Sequence, residues 1–300
     1  MIKYGYEIKK GRIVVKHFIR LTDYTKEDVL KIFEIADSLQ NGRYSNFLEK
    51  KTIVMFFPES SIRTRVTFEK GIHLLGGQTI LFPPETLDKK ENMKDVIGYL
   101  NNWADAVVVR YSNIGLVEKI AKYSKVPVIN AMTDINHPCE VLSDLYSLSK
   151  LRNDYLGCQY LFCGRKGNIG LAWKEIADVM DLNLSQCCPK GYKMENVIVD
   201  NNIESAICGK DIICTDSLPK ELLADFRDYQ ITAEIMEKAN EGTLLNPCPP
   251  FYRGEEVSAS AIDSKYFVGY EFKKHLLEIQ QAVLIYCFSE GEQHDNKISE

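Results

Sequence analysis

The 300-residue chain has no apolar run long enough to span a bilayer, and its first residues, MIKYGYEIKKGRIVVKHF, lack the apolar core of a signal peptide. It also lacks an excess of positive charge. Its 42 acidic and 37 basic side chains leave a net charge of −5, so neither nucleic acid nor a membrane is an expected partner, and any basic site must be local. No C-x-x-C pair occurs among the nine cysteines, most of which sit in apolar surroundings such as YLFCG and DIICTD. Their odd number and the missing export signal read as reduced thiols in a cytoplasmic protein. His137 and Cys139 are the one close pairing of metal-ligand types, and two ligands do not make a site, so no metal is expected. There is no G-K-[ST] loop for a nucleoside triphosphate. Gly164, Gly167 and Gly170 follow a strand, but their spacing is not G-x-G-x-x-G, and the next strand ends in Cys187-Cys188-Pro189 without a ribose-binding acid. No organic cofactor is expected either.

What is present is a soluble composition, 45% apolar and 26% charged, on a chain long enough for two domains. The segment 25–40 is amphipathic, and Thr25-x-x-Asp28 resembles a capping box. Strands are expected at KTIVMFF (51–57), QTILF, DAVVVR and VPVIN, and in a second series at QYLFC, LNLSQCC, DIICTD and GTLLNPC, with helices between. No repeat and no flexible linker interrupts them. The expected fold class is α/β: two doubly wound parallel-sheet domains joined by shared helices, with an interdomain active-site cleft. The domains are expected at 1–149 and 150–272, with a final helix over about 273–289 packing back on the first and a flexible tail at 290–300. The segment HPCEVLSDLYSLSK (137–150) bridges the halves, with Val141, Leu145 and Leu148 on one face and Pro138 in the first turn.

The richest stretch is PESSIRTRVTFEKGIHLLGG, residues 58–77. An apolar strand precedes it, and Phe68, Ile72 and Leu75 recur at helical spacing until Gly76-Gly77 stops the helix. Serines, threonines and arginines thus crowd a strand-to-helix corner where the first N–H groups of the helix lack partners. Such a corner suits a phosphate. A capped helix with surface arginines is the plainer reading of the same residues.

The order Ser61-Ile62-Arg63-Thr64-Arg65 after an apolar strand resembles the carbamoyl-phosphate motif S-T-R-T-R of the aspartate/ornithine carbamoyltransferase family. The resemblance runs through LDKKENMKD (87–95), DAVVVR with Arg110, VPVINAMTDINHPCEVLSDLYSL, NPCPPFYRGEEVS and the final helix with Gln280. It implies that Ser61, Ile62 (through its backbone), Arg63 and Thr64 hold phosphate, and that Arg110 and His137 donate to the carbonyl oxygen. Glu140 and Cys248 join that carbamoyl-phosphate set by position. Arg63, Arg110 and His137 are the implied catalytic residues. For His137 alone, a helix-entry residue before Pro138 is the plainer reading. The resemblance also implies a homotrimer, with Lys89 or Lys90 reaching a neighbouring subunit's site.

Several positions depart from the family. Glu140 replaces a glutamine, and it accepts from the carbamoyl NH2, from an acceptor ammonium, or merely complements the helix dipole. On the acceptor side, Arg165 stands where ornithine enzymes have an aspartate, and only Asn168 of their loop is kept. Asp216 is retained without the Ser-Met-Gly that follows it in the family, and Pro247 occupies the usual cysteine position of His-Cys-Leu-Pro. His275-Leu276 replaces an Asn-Arg pair, leaving Lys273 or Lys274 as substitutes. The aspartate-type pattern Arg-x-Gln-x-Glu-Arg is absent. Arg165 and Lys166 either meet an acidic group on the acceptor or are solvated loop residues. The implied activity is transfer of the carbamoyl group of carbamoyl phosphate to an amine of a small, ornithine-like acceptor. The alternative is a non-catalytic relative that binds carbamoyl phosphate only.

Overall fold

A computed structural model describes residues 15–295, and the chain divides into two compact units. The first comprises the described residues up to Tyr146 together with those from Lys274 onward; the second is Ser147–Lys273. The first division falls inside one long helix, α5, introduced below.

In the first unit, α1 (Lys26–Gln40) opens with the expected capping box: the Thr25 hydroxyl accepts from Asp28 N and the Asp28 carboxylate accepts from Thr25 N. There follow β1 (Thr52–Phe56), α2 (Ile62–Leu74), β2 (Gln78–Phe82), α3 (Met93–Leu100), β3 (Ala106–Arg110), α4 (Ile114–Tyr123), β4 (Val128–Met132) and α5 (Pro138–Leu151). The four strands are all parallel in the order β2-β1-β3-β4. Parallel strands need crossover helices, and because such crossovers are right-handed as a rule, this strand order sends helices to both faces. Val54, Phe56, Val107 and Val109 meet Ile97 of α3 and Val117 and Ile120 of α4, while Ile53, Met55 and Val108 are equally buried on the other face. Gly76 ends α2 with φ +82°, a left-handed conformation that glycine adopts without strain.

The second unit carries β5 (Gln159–Cys163), α6 (Asn168–Met180), β6 (Asn183–Cys187), β7 (Ile198–Asp200), α7 (Ile203–Ala206), β8 (Ile212–Thr215), α8 (Ala233–Met236), β9 (Leu244–Pro247) and α9 (Ala259–Ile262). Its sheet, again all parallel, has the order β7-β6-β5-β8-β9. Leu161, Cys163, Cys187, Ile213 and Leu245 face α7, α8 and α9. On the other side the Tyr160 ring lies against Trp173 of α6.

The last helix, α10 (Leu276–Asp295), belongs to the first unit and packs on α1 and α2. Gln281 Nε2 donates to the Gly71 carbonyl at 2.8 Å, and a Cβ on Gly71 would stand 3.0 Å from Gln281 Cγ. All eight expected strands are present. The ninth, β7, was not expected: it has three residues, lies at the sheet edge, and its Ile198 is 80% exposed, so no apolar pattern announces it. One further expectation changes. The helix expected to end near 289 continues to Asp295, and residues 296–300 of the expected tail lie outside the described residues. In α5 burial is not confined to one face, because every residue from Pro138 to Leu148 is buried, Ser143, Asp144 and Ser147 included. Among the described residues, no helix is long and apolar enough to cross a membrane.

Candidate active site

In a doubly wound sheet, the crevice for a ligand opens beyond the carboxyl ends of two neighbouring strands whose connections leave in opposite directions. In the first unit those strands are β1 and β3. The residues singled out from sequence stand there. After β1 the chain turns through Pro58–Ser60, with Ser61 N–H donating to Pro58 O at 3.0 Å, and enters α2 with Ser61 at its N-cap. The Ser61 side chain does not cap the helix. Its hydroxyl is buried without a hydrogen-bond partner, and the residue is only 3% exposed. The first turn of α2 contains no acidic side chain, so the positive end of its dipole is left uncompensated locally.

Arg110 ends β3 and donates from Nη1 to the Thr64 hydroxyl at 3.2 Å, which ties the guanidinium to the first turn of α2. Arg63 is exposed and enters no ion pair among the described residues. Arg65 is committed elsewhere, to Glu69 one turn on at 2.7 Å. Ile62 is 70% exposed, as a position that offers only its backbone would be. His137 and Glu140 are buried at the entry to α5, which follows β4 beside β3.

The loop before His137 is built by residues the sequence reading passed over. Asn130 Nδ2 donates to Asn136 Oδ1 at 2.7 Å, Thr133 Oγ1 donates to the same oxygen at 2.8 Å, and Asn136 Nδ2 donates to Ile19 O at 3.2 Å. All three side chains are fully buried. Hydrogen bonds among buried side chains hold a loop in one conformation, although Asn130 Oδ1 itself is left without a partner. An asparagine inside the apolar run of β4 was the available signal.

Lys89 and Lys90 are exposed, just beyond a short 3-10 turn, Pro84–Asp88. Asp88 accepts a hydrogen bond from Tyr111, the residue after Arg110, so the root of the lysine loop is fastened at the carboxyl end of β3. Tyr111 was not singled out from sequence.

In the second unit the corresponding strands are β5 and β8. Arg165 and Asn168 follow β5, Asp216 follows β8, and Pro247 ends the adjacent β9. These four residues, expected from sequence on the acceptor side, thus share one end of one sheet. Cys248 also lies there, its N–H donating to Thr215 O at 3.0 Å, in the second unit rather than with Ser61 and Arg110 in the first. Glu256 lies in this unit as well. Its Oε1 accepts from Tyr252 N at 2.9 Å, its Oε2 is buried without a partner, and burial pushes its carboxyl up to about 7. The nine cysteines all lie among the described residues, and no two form a disulfide.

The family model described as "Aspartate/ornithine carbamoyltransferase, carbamoyl-P binding domain" matches residues 16–150, and "Aspartate/ornithine carbamoyltransferase, Asp/Orn binding domain" matches 156–287. The chain belongs to the aspartate/ornithine carbamoyltransferase family. An ornithine carbamoyltransferase from Hydrogenovibrio crunogenus is 31% identical over 300 residues, covering 92% of this chain and 99% of that protein. One from Geobacter sulfurreducens is 28% identical over 298 residues, covering 90% and 98%. The solved ornithine carbamoyltransferase from Pyrococcus furiosus has a TM-score of 0.85 at 26% identity, covering 91% of this chain and 97% of that one. The carbamoyltransferase is therefore an enzyme that moves the carbamoyl group of carbamoyl phosphate to an amine, and a non-catalytic reading is not favoured.

Proposed function

We propose that carbamoyl phosphate binds in the first unit with its phosphate on Ser61, Arg63, Thr64 and the N-terminal amides of α2, and that Arg110 and His137 stabilise the oxyanion during attack. The observation that carries this reading is the Ser61 hydroxyl, buried and unpartnered at an uncapped helix N-terminus, with Arg110 tethered beside it through Thr64. A buried polar group without a partner is costly, and a bound oxyanion satisfies it. A neutral amine of the acceptor attacks the carbonyl carbon and forms the new C–N bond. The C–O bond to phosphate then breaks, and the amine proton leaves with the phosphate. Glu140 accepts from the carbamoyl NH2, and the acceptor is held in the second unit by Arg165, Asn168, Asp216 and Pro247. Reduced thiols support a cytoplasmic enzyme. Exposed Ile62, Val66, Ile80 and Phe82 support self-association, and family membership supports a homotrimer with Lys89 or Lys90 acting across it.

The test is phosphate release from carbamoyl phosphate against ornithine, lysine, N-acylated ornithines, diamines, short diamino acids and aspartate, with the ureido product detected by mass. Ser61→Ala should raise KM for carbamoyl phosphate by about tenfold to a hundredfold, the worth of one hydrogen bond to a charged group. It should leave the melting temperature unchanged or higher, since the orphaned hydroxyl is gone. An unchanged KM would remove Ser61 from the site.

A further inference from the structure

Tyr111 follows Arg110 directly, and the two side chains leave the end of β3 toward different elements. Val107, Val109 and Tyr111 alternate onto the face of the sheet packed by α3 and α4, whereas Arg110 follows Val108 to the opposite face. The register with β4 shifts at this point. Val109 pairs with Asn130 and Arg110 with Met132, so Ala131 has no counterpart on β3. A bulge of this kind sharpens the local twist and re-aims the side chains around it. Tyr111 N–H donates to Met132 O at 3.1 Å, which fixes the backbone where both side chains leave the sheet. Arg110 Nη1 then donates to the Thr64 hydroxyl of α2 at 3.2 Å, and the Tyr111 hydroxyl donates to Asp88 Oδ1.

Asp88 closes the turn Pro84–Asp88, whose Leu87 is buried in the same apolar cluster as Val109. Beyond it little holds the chain. Lys89, Lys90 and Glu91 are exposed and make no hydrogen bond or ion pair among the described residues. The next fixed point is Asn92, whose side chain accepts from Lys94 N at 3.0 Å and caps α3. The lysine loop is thus a three-residue span between two anchors. Among the described residues, the Tyr111–Asp88 bond is the one side-chain hydrogen bond at its first end. A segment without bonds of its own opens readily, so its placement depends on its anchors. The acceptor of this bond is a carboxylate, which strengthens it over a bond between neutral groups. The same bond raises the Tyr111 phenol above its ordinary value of 10.0, so the hydroxyl keeps its proton at neutral pH.

We propose that Tyr111 is a positioning residue for carbamoyl transfer: through Asp88 it sets the lysine loop, so that one strand end places both the loop's cations and Arg110. This role rests on the transferase reading with Lys89 or Lys90 in the site, and it holds whether that site lies in the same subunit or a neighbouring one.

The experiment compares Tyr111→Phe, Asp88→Ala and the double variant by two measurements. One is tryptic cleavage after Lys89 or Lys90 in the free enzyme, with the fragments identified by mass. The other is kcat/KM for carbamoyl phosphate with an acceptor that the wild type turns over. Tyr111→Phe keeps the ring and loses the bond. It should speed cleavage in the loop by about threefold to tenfold, the worth of one hydrogen bond, with cleavage elsewhere and the melting temperature unchanged. kcat/KM should fall by a similar factor. Asp88→Ala should do the same, and the double variant should be no worse than either single one, because both remove the same bond. Unchanged loop cleavage in Tyr111→Phe overturns the tie. Faster cleavage at an unchanged kcat/KM keeps the tie and overturns its part in the reaction. Single effects that multiply in the double variant also overturn the proposal, since the two side chains would then act by separate routes. A wild type that releases phosphate with no amine in the panel overturns the transferase reading and this role with it, whatever the cleavage rates.

Discussion

Glu256 carries a pH dependence whose sign follows from its surroundings. Its carboxyl is driven up to about 7, first by burial and further by the negative Glu255 and Asp216, against an ordinary value of 4.5. Between those two values the folded chain binds a proton that the unfolded chain has released. The associated stability is fully present below about 4.5 and is lost as pH rises through about 7. Glu256→Gln should therefore melt above the wild type at pH 8, and the gap should shrink as pH is lowered to 5. A gap independent of pH would sink the account. Residues of this kind were the least legible in the sequence. Ser61, Arg63, Arg110 and His137 stood out because ordered hydroxyls and cations after an apolar strand have a recognisable chemistry. Glu256 and Asn136 matter through burial, and burial of a single polar residue in a loop or strand is set by tertiary packing that no local pattern records.

At the scale of the element, short runs rich in apolar residues announced eight of the nine strands, because the central strands β1, β3, β5 and β8 are buried on both faces, and even the half-exposed β2 and β6 keep apolar residues. β7 escaped because an exposed three-residue edge strand needs no such run. In α5 the apolar face read from sequence, Val141, Leu145 and Leu148, is buried, and so is more besides. Its Ser143, Asp144 and Ser147 look like a wet face, yet all three are buried. The contact between α2 and α10 is tight enough to test. Ala at position 71 would gain about 1 kcal/mol of helix propensity over Gly, but its methyl would press on Gln281 Cγ at 3.0 Å and strain the bond to the Gly71 carbonyl. Overpacking of this kind costs about 1–3 kcal/mol. Gly71→Ala should lower the melting temperature despite its better propensity, and an increase would mean that the Gln281 side chain moves aside freely.

For the whole molecule, the assembly is tested by mixing two inactive variants. If Lys89 serves a neighbouring subunit's site, Arg63→Ala and Lys89→Ala enzymes, each nearly inactive, should recover activity when their subunits are exchanged. Exchanged subunits that stay inactive would restrict Lys89 to its own chain, where Asp88 and Tyr111 already fasten the loop. The two-unit architecture was legible because two runs of alternating strands and helices fill the chain, although neither sheet order nor the division inside α5 could be read from either run. That division also orders the chain's biosynthesis. The second unit is one uninterrupted segment, whereas α2, which opens at Ser61, rests on α10, which leaves the ribosome only after the whole second unit. In a nascent chain every residue of the second unit is thus available before α2 can meet α10.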